Sequence, residues 1–346
     1  MKKKFYLDFV IVTFKRTKFI FDTINSFIDV SNKYKNSNFR LVILDGSDDN
    51  FKEEINSELI STREMIDKYF KKESIFYKQY ANNGHYAKIL SDYVYNHSDC
   101  SSYFSFVGDD DIFIDLSGFD KAVKFLQNNP QFSLCNITRQ DDIVGENKYT
   151  FDEMEGYQYV KNFINLNLID TESVTHVFNL DLVKKFKTLK FLYLREVGLE
   201  DFYGFDMYFL FNTALSGKVK YFKTNNAVKT AQQGNEVRYT VMYPLTQWIC
   251  YYIYSKYTID VLTNDKINFF EKRKFMLHWL NSFIICFNKY CFSKYDTREI
   301  DYLKVKKYCN MPVFIFFLRE TFKILGFNLK IFRNLFQLSY KYLFFK

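Results

Sequence analysis

Three consecutive aspartates follow a short apolar segment, and their side chains are suited to holding a metal ion. Asp109, Asp110 and Asp111 come after Tyr103–Val107, and Gly108 lies between the segment and the triplet. Adjacent carboxylates repel one another unless a cation lies among them. Mg²⁺ and Mn²⁺ prefer oxygen ligands, and Mg²⁺ commonly binds one or two carboxylates together with substrate phosphates. The pattern therefore predicts either a metal–diphosphate site or a solvated acidic turn that caps the next helix.

The apolar segment before the triplet belongs to a regular alternation over the first 130 residues. Short segments rich in Phe, Tyr, Val and Ile predict buried strands, and the amphipathic segments between them predict helices. This alternation predicts an α/β fold with a mostly parallel sheet and helices on both faces. The predicted strands are Phe9–Phe14, Phe39–Asp45, Ile75–Ala81 and Tyr103–Val107, and the predicted helices are Phe19–Val30, Glu53–Phe70, Tyr86–Asn96 and Phe119–Gln127.

Polar residues follow three of the predicted strands. They are Thr13–Lys15, Asp45–Asp49 and Asp109–Asp111. In open sheets of this type, ligands bind at the carboxyl ends of the strands. The three clusters therefore fall where a ligand site is expected.

The rest of the chain shows no clear domain boundary. Residues 131–235 mix short strands with helices, and no repeat or low-complexity linker interrupts them. From about Tyr239 onward the pattern is mostly helical. We assign residues 1–235 to one domain and residues 236–346 to a helical C-terminal region. The strands predicted after residue 130 are Phe132–Thr138, Ser173–Asn179 and Lys218–Lys223.

The net charge of +8 is concentrated near the end of the chain, where Asp301–Lys346 contains nine Lys and Arg residues and two acidic residues. Large apolar side chains alternate with these basic residues at helical spacing. This pattern favours peripheral contact with an anionic membrane surface, or a C-terminal helix packed on the core with its basic face in water. No nucleic-acid-binding motif accompanies the charge, so we expect no nucleic-acid partner.

The sequence predicts a cytoplasmic protein, at the inner face of the cytoplasmic membrane if its C-terminal segment contacts lipid. The six cysteines show no CxxC pairing, which is typical of reduced residues in a chain of this size. The segment Met1–Phe14 resembles a signal peptide, but Asp8 interrupts it and no small-residue cleavage site follows, so we predict a strand there. No apolar run reaches the roughly 18 residues expected of a membrane-spanning helix.

Four segments, in their order and spacing, resemble signature sequences of the GT-A fold glycosyltransferases, particularly the family 2 inverting nucleotide-sugar transferases. Their combination is similar to a bacterial branch with a DDD triplet that is often found near capsule or surface-polysaccharide genes. The resemblance covers about residues 5 to 225. The four segments are IVTFKR (11–16), VILDGSDD (42–49), NNGHYAK (82–88) and FVGDDDI (106–112).

The resemblance implies a role for each segment. The first places Thr13 and Arg16 near the donor, and the second implies that Asp45 contacts the nucleotide base. The third resembles an Asn-x-Gly loop that brings a basic residue towards the donor, which implies roles for Asn83 and Lys88. His85 in this loop could touch phosphate or acceptor, or lie on the surface.

The fourth segment resembles the DxD element, which binds the metal ion and the donor diphosphate. We expect Mn²⁺ or Mg²⁺ as the cofactor. One alignment takes Asp109 and Asp111 as the metal ligands, with Asp110 beside the donor. The other aligns Gly108 with the first Asp of a common Asp-x-Asp-Asp pattern.

The catalytic base has three candidates. Asp206 lies eleven residues before Gly217, which resembles the spacing of the family's acidic residue, but Phe205 replaces the expected Glu. Glu200 and Asp201 form a true Glu-Asp pair five residues earlier. Each carboxylate could instead simply stabilise a helix N-terminus.

The resemblance implies transfer of a sugar from a nucleotide-sugar donor to a glycan or lipid-linked acceptor, with inversion, in bacterial surface-polysaccharide synthesis. His176 is either a buried residue on the acceptor side or a hydrogen-bonded strand histidine. Two other functions are considered: a catalytically inert, GT-like glycan-binding or scaffold protein, and a nucleotidyltransferase. The segment IVTFKR contains no glycine, which argues against the phosphate loop of a nucleotidyltransferase.

Overall fold

The structure, a computed structural model, describes residues 5–34, 38–48, 50–80, 86–97, 100–138, 152–159, 176–184, 209–210, 213–223 and 228–230. The chain divides into two compact units. The first comprises Met1–Tyr159, Thr171–Thr188 and Asn212–Gln233, and the second comprises Val160–Asp170, Leu189–Phe211 and Gly234–Lys346. All the described residues belong to the first unit except Phe209 and Leu210. The helical region predicted for residues 236–346, with its basic C-terminal segment, lies outside the described residues.

An eight-stranded, mostly parallel sheet with flanking helices forms the frame of the first unit, which confirms the predicted fold class. The strands, in chain order, are β1 (Leu7–Thr13), β2 (Phe39–Asp45), β3 (Glu53–Ile55), β4 (Glu58–Ile60), β5 (Ile75–Gln79), β6 (Tyr103–Phe106), β7 (Asp111–Phe113), β8 (Phe132–Thr138), β9 (Glu153–Glu155), β10 (His176–Asn179), β11 (Lys218–Lys223) and β12 (Val228–Thr230). The helices are α1 (Thr17–Ser31), α2 (Thr62–Tyr69), α3 (Tyr86–Asn96) and α4 (Ser117–Asn128), with a single helical turn at Leu180–Val183.

The sheet has the strand order β5-β2-β1-β6-β10-β8-β11-β9. Strands β5, β2, β1 and β6 run parallel to one another, and β8 is parallel to β11. Strand β10 is antiparallel to both β6 and β8, and β9 is antiparallel to β11. The carboxyl ends of β1, β2, β5 and β6 therefore lie along the same edge of the sheet.

Phe9 lies at the centre of the core on one face of the sheet. Its ring centroid is 4.8 Å from that of Phe119 in α4 and 5.1 Å from that of Phe113 in β7. Helix α1 covers the same face because Ile20, Ile24 and Phe27 recur at helical spacing, and all three are fully buried. Burying each of these side chains contributes about 1.5–3 kcal/mol to folding.

A buried ion pair ties the amino ends of β1 and β2 together. The carboxylate of Asp8, which is fully buried, accepts hydrogen bonds of 2.8 Å from both Nε and Nη2 of Arg40. It also accepts hydrogen bonds from the Tyr93 hydroxyl at 2.7 Å and the Ser101 amide at 2.9 Å. Burial acts to lower the pKa of Arg40, but the hydrogen bond and charge of Asp8 raise that pKa above its ordinary value.

The helix predicted over Glu53–Phe70 is wrong in its first half. Strands β3 and β4 form a hairpin there, and α2 begins only after it. Asn56 and Ser57 at the hairpin turn have φ angles of 51° and 66°, and a two-residue turn with both φ values positive matches the twist of paired strands. The side chain of Ser61 then accepts a hydrogen bond from the Glu64 amide in a capping box, which starts the helix at Thr62.

A second difference concerns the residues after the aspartate triplet. No element was predicted between the triplet and the helix at Phe119, whereas Asp111–Phe113 forms β7 and pairs antiparallel with β12, so that Asp111 lies opposite Thr230. Strand β7 is three residues long and its partner lies more than 100 positions away, which explains why the local pattern does not predict it. Within the described part of the chain, no helix has the length and apolar composition needed to cross a membrane.

Candidate active site

The carboxyl ends of three parallel strands bring the predicted polar clusters together. Thr13, the last residue of β1, is the register partner of Asp45, the last residue of β2. On the other side of β1, Val10 pairs with Phe106, and the amide of Val107 donates to the Val10 carbonyl at 3.1 Å. The polar residues that follow these strands therefore meet at one edge of the sheet, as the sequence predicted.

The aspartate triplet is held by two residues from the end of β1 and the start of α1. The hydroxyl of Thr13 donates to Oδ2 of Asp109 at 2.9 Å. Arg16 donates from Nη1 to Oδ1 of Asp109 at 2.5 Å and from Nη2 to Oδ2 of Asp110 at 3.1 Å. Because the guanidinium is a planar fork of donors, it can bridge two neighbouring carboxylates. The resemblance implied Arg16 as a donor-binding residue, and its pairing with the aspartates was not predicted.

Two local features set the position of the Arg16 side chain. Arg16 is the residue immediately before α1, so its backbone is fixed at the start of that helix. Its guanidinium carbon lies 4.4 Å from the ring centroid of Phe19, within the range of a cation–π contact. The preceding residue, Lys15, has a left-handed backbone with φ of 57°, which turns the chain sharply between β1 and α1. The start of α1 and the contact with Phe19 therefore hold the Arg16 guanidinium next to the aspartates.

Gly108 begins the tight turn that contains Asp109 and Asp110. Its amide donates to Oδ2 of Asp111 at 2.6 Å, and the Asp111 amide donates back to the Gly108 carbonyl at 3.3 Å. A Cβ atom added at Gly108 would lie 2.9 Å from Oδ2 of Asp111, closer than van der Waals contact allows. Any larger residue at this position would therefore displace the Asp111 carboxylate.

The three carboxylates of the triplet lie close together and are buried. Asp109, Asp110 and Asp111 are only 7%, 5% and 2% exposed, and the guanidinium of Arg16 offsets one of the three negative charges. Carboxylate oxygens are the ligand type that Mg²⁺ and Mn²⁺ prefer. The residues therefore fit a divalent cation in donor type. Within the described ranges, no three acidic, histidine or cysteine side chains form a group that could hold a metal ion by themselves.

Asp45 lies at the same edge of the sheet and is 2% exposed. Its Oδ1 accepts the Ser47 amide at 2.8 Å, and its Oδ2 accepts the Tyr77 hydroxyl at 3.2 Å. The Ser47 hydroxyl in turn accepts the Lys15 amide at 2.8 Å, which links this loop to the end of β1. Ser47 and Tyr77 were not predicted as site residues. Tyr77 lies two residues before the end of β5, where Gln79 pairs with Asp45, and no local sequence pattern pointed to this tyrosine.

Several predicted site residues cannot be placed. Glu200, Asp201 and Asp206, the three candidate bases, lie outside the described residues, as do Asn83 and His85. Lys88 belongs to the first turn of α3, but its side chain lies outside the described part of the structure. The catalytic base and the donor-side basic residue therefore stay predictions.

His176 is a hydrogen-bonded strand histidine. It is 3% exposed, and its Nε2 lies 3.1 Å from the Tyr159 hydroxyl. Nδ2 of Asn136, its register partner on β8, donates to the same hydroxyl at 3.5 Å. The structure thus supports the second of the two interpretations given for His176.

Comparison with known proteins bears on the fold. No protein-family model and no curated protein matches the chain. Among solved structures, S. aureus TarS 1–349 in complex with UDP-GlcNAc matches with a TM-score of 0.55 and 15% identity, over 84% of this chain and 74% of that chain. TarS 1–349 without that ligand gives a TM-score of 0.52 at 15% identity, over 82% of this chain and 73% of the other.

The chain has the GT-A fold. This confirms the fold that the four sequence segments implied. At 15% identity the similarity establishes the architecture and not the activity. The chain spans 44% of a longer TarS structure, which it matches with a TM-score of 0.53 at 15% identity, over 84% of its own length.

Proposed function

We propose that the protein is a metal-dependent glycosyltransferase that transfers a sugar from a nucleotide-sugar donor to a glycan or lipid-linked acceptor, with inversion. One observation carries the proposal: in a GT-A fold, Thr13 and Arg16 hold an acidic triplet at the carboxyl edge of the sheet, next to the buried Asp45. The UDP-GlcNAc bound to the matching TarS structure supports a nucleotide sugar as the donor class.

In this proposal the residues at the edge of the sheet bind different parts of the donor. Asp45 accepts hydrogen bonds from the nucleotide base, and Ser47 and Tyr77 hold its carboxylate in place. Asp109 and Asp111 hold Mn²⁺ or Mg²⁺, with Asp110 beside the donor. When bound, this ion acts as a Lewis acid that neutralises the leaving diphosphate.

Arg16, Asn83 and Lys88 complete the donor site. Arg16 keeps the carboxylates of Asp109 and Asp110 bridged and adds positive charge close to the phosphates. The resemblance supports the roles of Asn83 and Lys88 at the donor. Fixed cations of this kind stabilise a leaving diphosphate because they require no reorganisation during the reaction.

The acceptor hydroxyl needs a carboxylate that takes its proton as it attacks, because its pKa is too high for it to react unaided. Asp206, Asp201 and Glu200 are the candidates for this base. We further propose that the product is a bacterial surface glycan, made in the cytoplasm at the inner face of the cytoplasmic membrane. The basic, aromatic segment near the C-terminus would provide peripheral membrane contact.

The test is donor binding and turnover with and without metal. Purified protein is screened by thermal shift against UDP- and GDP-sugars with and without Mn²⁺, since a ligand that binds the native state raises its melting temperature. Sugar transfer and donor hydrolysis are then measured for Asp109→Asn and Asp111→Asn. Asp120→Asn is the matched control, because Asp120 pairs with Lys124 at the surface of α4. Loss of turnover in the first two variants alone supports the proposal, and equal turnover in all three contradicts it.

A catalytically inert, GT-like glycan-binding or scaffold protein is the second candidate. Two observations favour it. Arg16 forms ion pairs with two of the three aspartates, and Phe205 stands in the position where the family carries a glutamate. This candidate predicts glycan binding with no donor turnover under any metal, and no loss of biological activity in the aspartate variants.

A further inference from the structure

Helix α1 is hydrogen-bonded to the backbone of the segment that carries the aspartate triplet. The hydroxyl of Thr23 donates to the carbonyl oxygen of Asp109 at 3.0 Å. One turn later, the hydroxyl of Ser26 accepts the amide of Phe113 at 3.0 Å. These two bonds lie at the two ends of the segment from Asp109 to Phe113. The helix therefore defines where this segment lies.

Thr23 is the more buried of the two, with no exposed surface. A threonine inside a helix commonly turns its hydroxyl back to a carbonyl of the preceding turn. Here the hydroxyl reaches a carbonyl 86 positions away in the chain. The carbonyl belongs to Asp109, whose own carboxylate takes part in the contacts with Thr13 and Arg16. Thr23 thus fixes the backbone from which this carboxylate projects.

We propose that Thr23 is a positioning residue for the aspartate site. Its hydroxyl holds the Asp109 backbone so that the carboxylates keep the arrangement needed for a divalent cation and a diphosphate. This inference rests on the proposed function. Groups that orient metal ligands without touching the metal typically change metal affinity by about 10- to 100-fold when they are removed.

The test compares three variants of the full-length protein. Thr23→Val keeps the shape of the side chain and removes the hydroxyl, whereas Thr23→Ser keeps the hydroxyl. Thr17→Val is the matched control: Thr17 lies on the same helix, is also fully buried, and shares a 2.9 Å hydrogen bond with Thr62 on α2. Both valine variants lose one buried hydrogen bond, so their melting temperatures should fall by similar amounts.

The affinities for Mn²⁺ and UDP distinguish a positioning role of Thr23 from an effect on stability alone. The dissociation constants of Mn²⁺ and of UDP in the presence of Mn²⁺ are measured by calorimetry, and free Mn²⁺ is counted by electron paramagnetic resonance. We expect Thr23→Val to weaken Mn²⁺ binding by about 10-fold. Thr23→Ser and Thr17→Val should bind as the wild type does. Equal affinity in Thr23→Val and wild type, or an equal loss in Thr17→Val, overturns the positioning role.

Two further outcomes keep the inference falsifiable. If Thr23→Val does not fold, Thr23→Ala removes the same hydroxyl without placing a methyl group against the Asp109 carbonyl, and unchanged Mn²⁺ affinity in that variant overturns the inference. If the wild-type protein binds neither Mn²⁺ nor UDP, the proposed function fails and the positioning role fails with it. Wild-type binding that Thr23→Val leaves intact refutes the positioning role alone.

Discussion

The hydroxyl of Thr13 lies 2.9 Å from Oδ2 of Asp109, although 96 positions separate the two residues in the chain. The contact joins the end of the first strand to the acidic triplet. Both residues are buried, so the hydrogen bond contributes to folding and also orients a carboxylate that faces the proposed donor. This hydrogen bond therefore links the end of β1 directly to the aspartate triplet.

Replacing Thr13 by valine removes the donor to Asp109 and leaves that carboxylate oxygen one partner short. We expect a loss of about 1–3 kcal/mol in the free energy of unfolding, since a buried acceptor loses its hydrogen bond. UDP binding in the presence of Mn²⁺ should weaken as well. Urea denaturation and calorimetry measure the two effects. Thr13→Ser, which keeps the hydroxyl, should preserve binding, and tight UDP binding by Thr13→Val would contradict the prediction.

Replacing Arg16 by glutamine removes the guanidinium that pairs with Asp109 and Asp110. We expect the metal-free protein to lose about 2 kcal/mol of stability, less than for a fully buried pair because Arg16 is partly exposed. Mn²⁺ should then stabilise the variant more than it stabilises the wild type, because the ion replaces the missing charge. Denaturation with and without Mn²⁺ tests this, with Arg16→Lys as the charge-preserving comparison. A variant as stable as wild type without metal would argue against the ion pairs.

Replacing Gly108 by alanine tests the turn that begins at this glycine and contains Asp109 and Asp110. The added methyl would lie 2.9 Å from Oδ2 of Asp111, so that carboxylate must move. We expect Mn²⁺ affinity to fall while the free energy of unfolding changes by less than about 2 kcal/mol, because a side-chain end can shift at low cost. Mn²⁺ titration and urea denaturation give the two quantities. Gly118→Ala in α4 serves as the control, and equal Mn²⁺ affinity in both variants would contradict the expectation.

The Asp8–Arg40 pair gives a prediction about stability alone. Asp8→Asn leaves the buried guanidinium without its carboxylate, and we expect a loss of about 3–5 kcal/mol. Replacing both residues by Leu and Met should cost less than the single change, because no buried charge remains. UDP affinity of the folded protein should not change, since the pair lies at the amino ends of the strands. A double variant with a lower free energy of unfolding than Asp8→Asn would contradict this prediction.

Asp92 makes stability depend on acid pH. Burial acts to raise its pKa, but hydrogen bonds from Asn96, Lys78 and Tyr80 lower it to about 2. The unfolded carboxyl titrates near 3.9. Because the folded pKa is the lower one, the stabilisation is complete above the unfolded pKa and is lost as the pH falls from about 4 towards 2. Denaturation at pH 6 and pH 3 should show a smaller acid loss in Asp92→Asn than in wild type. The difference will be modest because the Asp92 side chain is 34% exposed.

Most elements of the sheet could be predicted because their signals are local. Strand β2 at Phe39–Asp45 and helix α3 at Tyr86–Asn96 have the bounds that their apolar patterns indicate. The hairpin at Glu53–Ile60 was missed because its charged residues also suit a helix, and the turn depends on two positive φ angles. Strand β7 was missed because three residues are too few to show the alternation typical of a strand, and because its partner β12 is remote in the chain.

In the candidate site, too, the local features could be predicted and the contacts between remote residues could not. The residue types of Thr13, Asp45 and the aspartate triplet, and their places after predicted strands, were sufficient to expect a ligand site at the carboxyl edge of a mostly parallel sheet. The sequence could not show that Arg16 bridges Asp109 and Asp110, or that Tyr77 holds Asp45. It also contained no sign that Thr23 on α1 supports the Asp109 backbone.

The sequence by itself determined the order of the longer strands and helices and the chemical groups at the strand ends, because apolar periodicity and turn residues act over a few positions. The tertiary structure decided which of these groups touch. Parallel strands put Thr13 beside Asp45, and α1 carries Arg16 and Thr23 to residues more than 80 positions further along the chain. Such contacts depend on register, helix placement and the burial of charge, which only the packed chain specifies.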